Sequence, residues 1–405
     1  MKVSNHLFDK QSGWQPAIPS GVYPKVSLLL CFGSADLMYS EGTISDLKHT
    51  FPNAELVGCT SGVEVFNNEL RQDTLTLTAI QFDSTTVGIA KHEYKTFEDG
   101  YEVGKKLMQR LQEKSGLKHV FILSDSINVC GTKLIEGCNA ALPANVAVTG
   151  GMASSVKPNF SDIYFALKIS AMRLGLESTA NLNFGNTRVW HNEDGARRQA
   201  VAIGFYGDKL RVGYASANGY KASGAKYHIT KADDRFIYEL DGRPALEVYK
   251  QFLGDEAKNL PAVGLNYPLL LLDSPTDSNG IVRGLLDANE MDQSLTMAGH
   301  IPEGKYAQLM SADLEGIVDS GCQSAKQADD MLGGESQLAI TVSCVGRMAY
   351  LDAATEKEIQ GASHALHGCP MTGFYSFGEA CPNTGSKNTL LHNHVMAVTT
   401  FKELP

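Results

Sequence analysis

The sequence lacks the long apolar runs, basic blocks and close cysteine pairs that would place it in several large classes. Its longest near-continuous apolar stretches, Val26 to Phe32 and Pro268 to Leu272, fall far short of the roughly 18 to 20 residues that cross a bilayer. They read as buried strands. The amino-terminal segment, from Met1 through Asn5, His6 and Asp9 to Trp14, has no basic stretch leading into an apolar one, so no secretory signal is read and a cytoplasmic location is expected. Lys plus Arg number 35 against 45 Asp plus Glu, a net charge of −10. Without a cluster of cations there is no electrostatic footprint for phosphate backbones or anionic lipid, and neither nucleic acid nor a membrane surface is expected as a partner. The eight cysteines (Cys31, Cys59, Cys130, Cys138, Cys322, Cys344, Cys369, Cys381) are scattered, and no pair has the spacing of a zinc knuckle or redox motif. Reduced thiols are expected, most of them acting as small hydrophobes. Also missing are G-x-x-x-x-G-K-[ST], G-x-G-x-x-G after a strand, H-E-x-x-H and C-x-x-C-H, which removes the usual signals of nucleotide hydrolysis, zincin chemistry and covalent c-type haem.

What is present is a globular composition, 43% apolar and 20% charged over 405 residues, enough for two or three domains. Apolar runs predict strands at Val26 to Phe32, Leu56 to Cys59, Val120 to Leu123, Val146 to Val148, Tyr164 to Ile169, Ala200 to Phe205, Leu269 to Leu272, Leu338 to Cys344, Phe374 to Phe377 and Val395 to Phe401. Alternation at Leu75 to Ile80 and Val87 to Ala90 reads as a β-hairpin. Apolar residues at helical spacing predict helices over Ser40 to Phe51, Phe97 to Leu111, Leu246 to Phe252, Asp313 to Met331 and Ala353 to His367. Strands and helices interleave, yet several connections are too short for parallel crossovers. The expected fold is therefore α/β with α+β character, two layered domains with mixed β-sheets flanked by helices: a leader over 1–25, a first domain over 26–217 and a second over 218–405. No internal repeat is visible.

Several local patterns invite chemistry. Cys59, in Gly58-Cys59-Thr60-Ser61-Gly62 at a strand end, has the placement of a nucleophile, although small residues for a tight turn explain it as well. Gly150-Gly151-Met152-Ala153-Ser154-Ser155 would cradle an anion or form a plain glycine turn. His364 and His367, with Cys369 just beyond, suit a metal or a helix end. His392 and His394 share one face if they lie in a strand.

Three stretches carry more together than apart. They are Val57-Gly58-Cys59-Thr60-Ser61-Gly62-Val63-Glu64, then Tyr238-Glu239-Leu240-Asp241-Gly242-Arg243-Pro244-Ala245, and finally Gly373-Phe374-Tyr375-Ser376-Phe377-Gly378-Glu379 with Leu391-His392-Asn393-His394-Val395-Met396. In this order they resemble the FIST family, with its FIST N and FIST C domains, over nearly the whole chain. The resemblance implies a cytoplasmic small-molecule sensor that is not an enzyme and acts through a separate signalling protein. In length and architecture the chain is similar to the free-standing nitric oxide sensing group called NosP. That similarity implies non-covalent haem b and a partner histidine kinase or cyclic-di-GMP enzyme, with a homodimer among the expected assemblies. His228, between the halves, is the first candidate for the axial ligand and His392 the second; nitric oxide on iron would weaken that bond and shift a two-state surface. A general pocket is expected from Tyr375, Glu379, His392 and Asn393, with Arg283 and Arg347 clamping a carboxylate. The alternatives are a non-haem sensor of an amino acid or other small metabolite, a cysteine hydrolase built on Cys59, and a purely structural interaction protein.

Overall fold

The computed structural model describes residues 1–18, 20–40, 43–155, 187–192, 195–383 and 386–405. The strand expected at Tyr164 to Ile169 lies outside the described residues. The strands form three six-stranded sheets and one eight-stranded sheet, a mixed α/β architecture as the interleaved pattern implied.

Each six-stranded sheet is built around one unit: a strand, a helical crossover, a second strand parallel to the first, and an antiparallel strand closing the other side of the first. In the first unit these are Leu28–Gly33, the helix Thr43–Thr50, Glu55–Thr60 and Leu75–Gln81. In the second they are Leu117–Ser124, the helix Gly131–Ala141, Ala147–Met152 and Gln199–Tyr206. In the third they are Leu338–Cys344, the helices Val345–Leu351 and Thr355–Ala365, Met371–Ser376 and Met396–Glu403. Each unit then lends a short strand to a neighbour. Glu64–Phe66 pairs with the third sheet, Glu379–Pro382 with the second and Val189–His191 with the first, so the exchange is cyclic. The chain therefore does contain an internal repeat, contrary to the sequence reading. The repeat is one of backbone path: the corresponding strands end in the dissimilar Gly-Cys-Thr, Gly-Gly-Met and Phe-Tyr-Ser.

The unit strands are apolar almost throughout because both of their faces are covered. Their inner faces meet in one shared core containing Leu30, Phe32, Phe121, Leu123, Val342 and Phe374; the Phe32 and Phe374 rings lie 4.9 Å apart. Helices cover the outer faces. Full burial of each such side chain stabilises the fold by about 1.5–3 kcal/mol. Gly58 is fixed by this packing, since a Cβ there would lie 1.7 Å from the Cys31 carbonyl oxygen.

Two expectations fail, the first because alternation identifies a strand but not its partner. Leu75–Gln81 and Thr86–Glu93 do not form a hairpin, because the first pairs with Leu28–Gly33 and the second with Gln199–Tyr206 in another sheet. The Glu403 carboxylate holds the handover, accepting the N–H groups of Asp83, Ser84 and Thr85 at 2.7, 2.9 and 2.6 Å. The segment expected as a leader is part of the fold, since Lys2–Asp9 pairs along Leu75–Gln81. The eight-stranded sheet runs from Lys221–Asp233 to Tyr306–Ser311 and packs on the helix Ala245–Leu253 around a core of its own. It is inserted into the third unit, between Leu210–Ala217 and the helix Leu314–Asp330. The third sheet draws strands from both sides of residue 217, where a domain boundary was expected. No helix among the described residues is long and apolar enough to cross a membrane.

Candidate functional site

Where the second unit meets the inserted sheet there is a cavity of about 150 Å³. Its first wall follows the strand Leu117–Ser124. Buried Asp125 organises this loop, its Oδ1 accepting the Ile127 N–H at 3.0 Å and the Thr187 hydroxyl at 2.7 Å. Its Oδ2 accepts Asn128 Nδ2 and the Arg198 N–H, both at 2.7 Å. Ser126, Val129, Cys130, Gly131 and Thr132 line the cavity, ending at the start of the helix Gly131–Ala141. The facing wall is the Asp234–Arg235 turn with Leu286 and Ala298 to His300, and Met152, Phe377 and Leu391 close the back. Arg235 ties the walls together. Its Nε donates to Asp234 Oδ2 at 3.3 Å and its guanidinium lies 4.8 Å over the Phe97 ring. Ser126 Oγ and Thr132 Oγ1 are buried without a hydrogen-bond partner. Burial pushes the Cys130 thiol above its ordinary range.

The residues singled out from the sequence divide around this cavity. Arg283, 2% exposed, lies against its wall, donating through Nη1 to the Leu391 carbonyl at 2.8 Å and through Nε to that of His300 at 3.4 Å. Its Nη1 also reaches Asn393 Oδ1 at 3.5 Å. Burial lowers the Arg283 pKa to about 10. Next to it, His392 Nε2 is engaged with the Cys381 carbonyl at 2.9 Å, and burial lowers the ring's pKa to about 4.

Arg347 and Tyr375 do not form a ligand clamp. Arg347 is fully buried and donates to Glu358 Oε1 at 2.7 Å, to the carbonyls of Asn218 and Ile317 at 2.8 Å and to Ser320 Oγ at 2.9 Å. The Tyr375 hydroxyl donates to the other Glu358 oxygen at 3.0 Å. Burial works against the Arg347 charge, but the Glu358 carboxylate outweighs it and holds the pKa above the ordinary value. These side chains bind the third unit's helices to its sheet. Glu379 is buried in the same unit, bonded to Ser376 Oγ, and burial raises its pKa to about 8.

The other candidates are also occupied by structure. Cys59 is fully buried, and burial, with Cys31 and Glu64 adding to it, raises its thiol far above the range of a nucleophile. Gly150 and Gly151 lie inside a buried strand, and the N–H groups of Met152, Ala153 and Ser154 bond to the carbonyls of Gly378, Ser124 and Thr60. No anion cradle is left there. His392 and His394 do not share a face: the strand ends at His392, and His394, with φ +59°, turns to the Tyr220 hydroxyl at 2.9 Å. Among the described residues no cluster of three His, Cys, Asp or Glu is placed to hold a metal, including His364, His367 and Cys369. His228 is half-buried on Lys221–Asp233, its ring 5.2 Å from that of Tyr306, and is not part of the cavity. Sequence reasoning missed Ser126, Thr132, Arg235 and His300, since no motif joins residues so far apart along the chain.

A FIST N domain matches residues 27–243 and a FIST C domain residues 245–382. The chain is similar to an uncharacterized protein of Mycobacterium bovis, 25% identical over 286 residues, which are 69% of this chain and 66% of that one. The match thus spans just under two thirds of the relative's length. An uncharacterized protein of Methanocaldococcus jannaschii is 27% identical over 165 residues, covering 37% of this chain and 31% of its own. A cyanuric acid hydrolase from A. caulinodans is similar over 99% of both chains at 9% identity, with a TM-score of 0.30. This hydrolase match stands against the expectation that the protein is not an enzyme, and that expectation is withdrawn; a likeness at this level assigns no reaction. With the two domain matches adjoining and together running from residue 27 to 382, the chain belongs to the FIST family.

Proposed function

We propose that the protein is a sensor whose small ligand, a metabolite of amino-acid size, occupies the cavity between the second unit and the inserted sheet. FIST domains are sensor domains of small ligands in signal transduction. The observation that carries the reading is the cavity's position. Its two walls belong to separately cored parts of the chain, and across it they are tied by Arg235 over Phe97. A ligand there contacts both walls at once, so its binding energy biases how they pack, which is what a two-state signal requires. The outer face of that seam would be read by a separate signalling protein, such as a histidine kinase.

A haem does not fit these residues. The cavity, about 150 Å³, has room for about one six-membered ring, far less than a porphyrin needs. His228 faces elsewhere and His392 Nε2 is committed to a carbonyl. The test is a thermal-shift and calorimetric screen of small metabolites on the full chain and on Ala298→Phe, which fills the cavity. A compound that stabilises the first protein and not the second supports the proposal; hits indifferent to the filled cavity refute it.

A further inference from the structure

Resting on that reading of the cavity, we infer that its ligand carries an anionic head, a carboxylate on a short apolar body, recognised by Ser126, Thr132 and the helix start at Gly131, with the Arg283 guanidinium adding its field from behind the wall at Gly299, His300 and Leu391. The volume of about 150 Å³ matches a cavity that holds a single six-membered ring. The body would lie against Val129, Met152 and Leu391.

The polar end has three features. Ser126 Oγ and Thr132 Oγ1 are buried and unpaired, a cost that a ligand oxygen accepting from both would remove. The eleven-residue helix Gly131–Ala141 starts in the wall with no acidic residue in its first turn, so its positive dipole end favours an anion. Arg283 has no carboxylate within ion-pair distance among the described residues. Gly299 allows its approach, for a Cβ at that position would lie 2.8 Å from Arg283 Nε. The other cation of the site, Arg235, is already balanced by Asp234. One buried positive charge thus has no carboxylate in contact among the described residues, only the more distant Glu379 and Glu136, and taking such a charge out of water is costly until an anion joins it. A cationic head would meet the same charge and the same helix end with the opposite sign.

The inference is tested on the full chain with three isosteric probes: 3-methylbutanoate, its amide and 3-methylbutylammonium, titrated by ligand-observed NMR. The carboxylate is expected to bind at least ~10-fold more tightly than the amide, and the ammonium not at all. Thr132→Val, which keeps shape and loses the hydroxyl, should weaken the carboxylate ~5-fold and leave the amide within twofold. If the amide or ammonium binds as well as the carboxylate, and all binding is lost in Ala298→Phe, the anionic head is wrong while the cavity stands. If nothing saturates at tens of millimolar, or the probes bind Ala298→Phe equally, the ligand site falls with it.

Discussion

Arg347→Met separates a ligand clamp from a structural strut. A clamp can be removed without harm to folding, whereas the surroundings of Arg347 predict a large loss. Methionine leaves the Glu358 carboxylate buried with the Tyr375 hydroxyl at 3.0 Å as its remaining partner here. Removing one member of a buried ion pair costs about 3–5 kcal/mol. The carbonyls of Asn218 and Ile317, each 2.8 Å from the guanidinium, also lose a donor, at about 1–3 kcal/mol each where water cannot reach. The total is at least ~5 kcal/mol, comparable with the whole stability of an ordinary domain. Glu358→Gln, which keeps the shape but leaves the Arg347 charge buried without its counterion, should also cost about 3–5 kcal/mol. Arg347→Met combined with Glu358→Leu should recover part of the single-mutant loss, because no charge is then left unpaired. Urea unfolding followed by far-UV circular dichroism measures all three. An Arg347→Met protein within ~1 kcal/mol of the parent would refute the reasoning and return Arg347 to the list of ligand contacts.

The pH dependence of stability is expected to peak near pH 6.5. Burial lowers the folded-state pKa values of His119, His392 and His394 to about 3, 4 and 3. Below their unfolded value of about 6.5 the unfolded chain therefore binds more protons, and stability falls as pH drops, by up to about 4 kcal/mol per unit for the three together. Glu379, raised to about 8, works oppositely: the folded state holds its proton from about pH 4.5 upward, so stability declines toward pH 8 by up to about 1.4 kcal/mol per unit. Glu379→Gln should flatten the decline toward pH 8 and steepen the acid limb above about pH 4.5, where the Glu379 slope opposes that of the histidines; a parent protein that keeps gaining stability through pH 8 would contradict the assignment. Hemin added to the purified protein should give no Soret band that depends on His228 or His392, and a band abolished by His228→Ala or His392→Ala would reinstate the haem reading.

Much of the element content was legible in the sequence. Leu28–Gly33, Leu338–Cys344 and Met396–Glu403 announce themselves because a strand covered on both faces must be apolar at nearly every position. The helix Gly100–Gln112 shows its buried stripe of Val103, Leu107, Met108 and Leu111 for the equivalent reason. The family, too, was legible, through Ser-Gly-Val-Glu near residue 64 and Ser-Phe-Gly-Glu near residue 379. These are the two turns that carry a chain segment from one sheet to the next.

What the sequence determined by itself is local: which segments are strands or helices, that the composition is globular, and which motifs of known chemistry are missing. Pairing was decided only in three dimensions, because hydrogen bonds between strands join backbone groups that look alike whatever the side chains. The partners of the exchanged strands, and the separation of Leu75–Gln81 from Thr86–Glu93, were therefore not legible in the residues. The same holds for the candidate site. Arg283 and Arg347 are alike as letters, each a buried guanidinium near a strand end. Tertiary packing gave one a carboxylate partner in Glu358 and left the other against a cavity wall with carbonyls and an amide alone; that difference in counterion makes one a strut and the other the proposed determinant of charge.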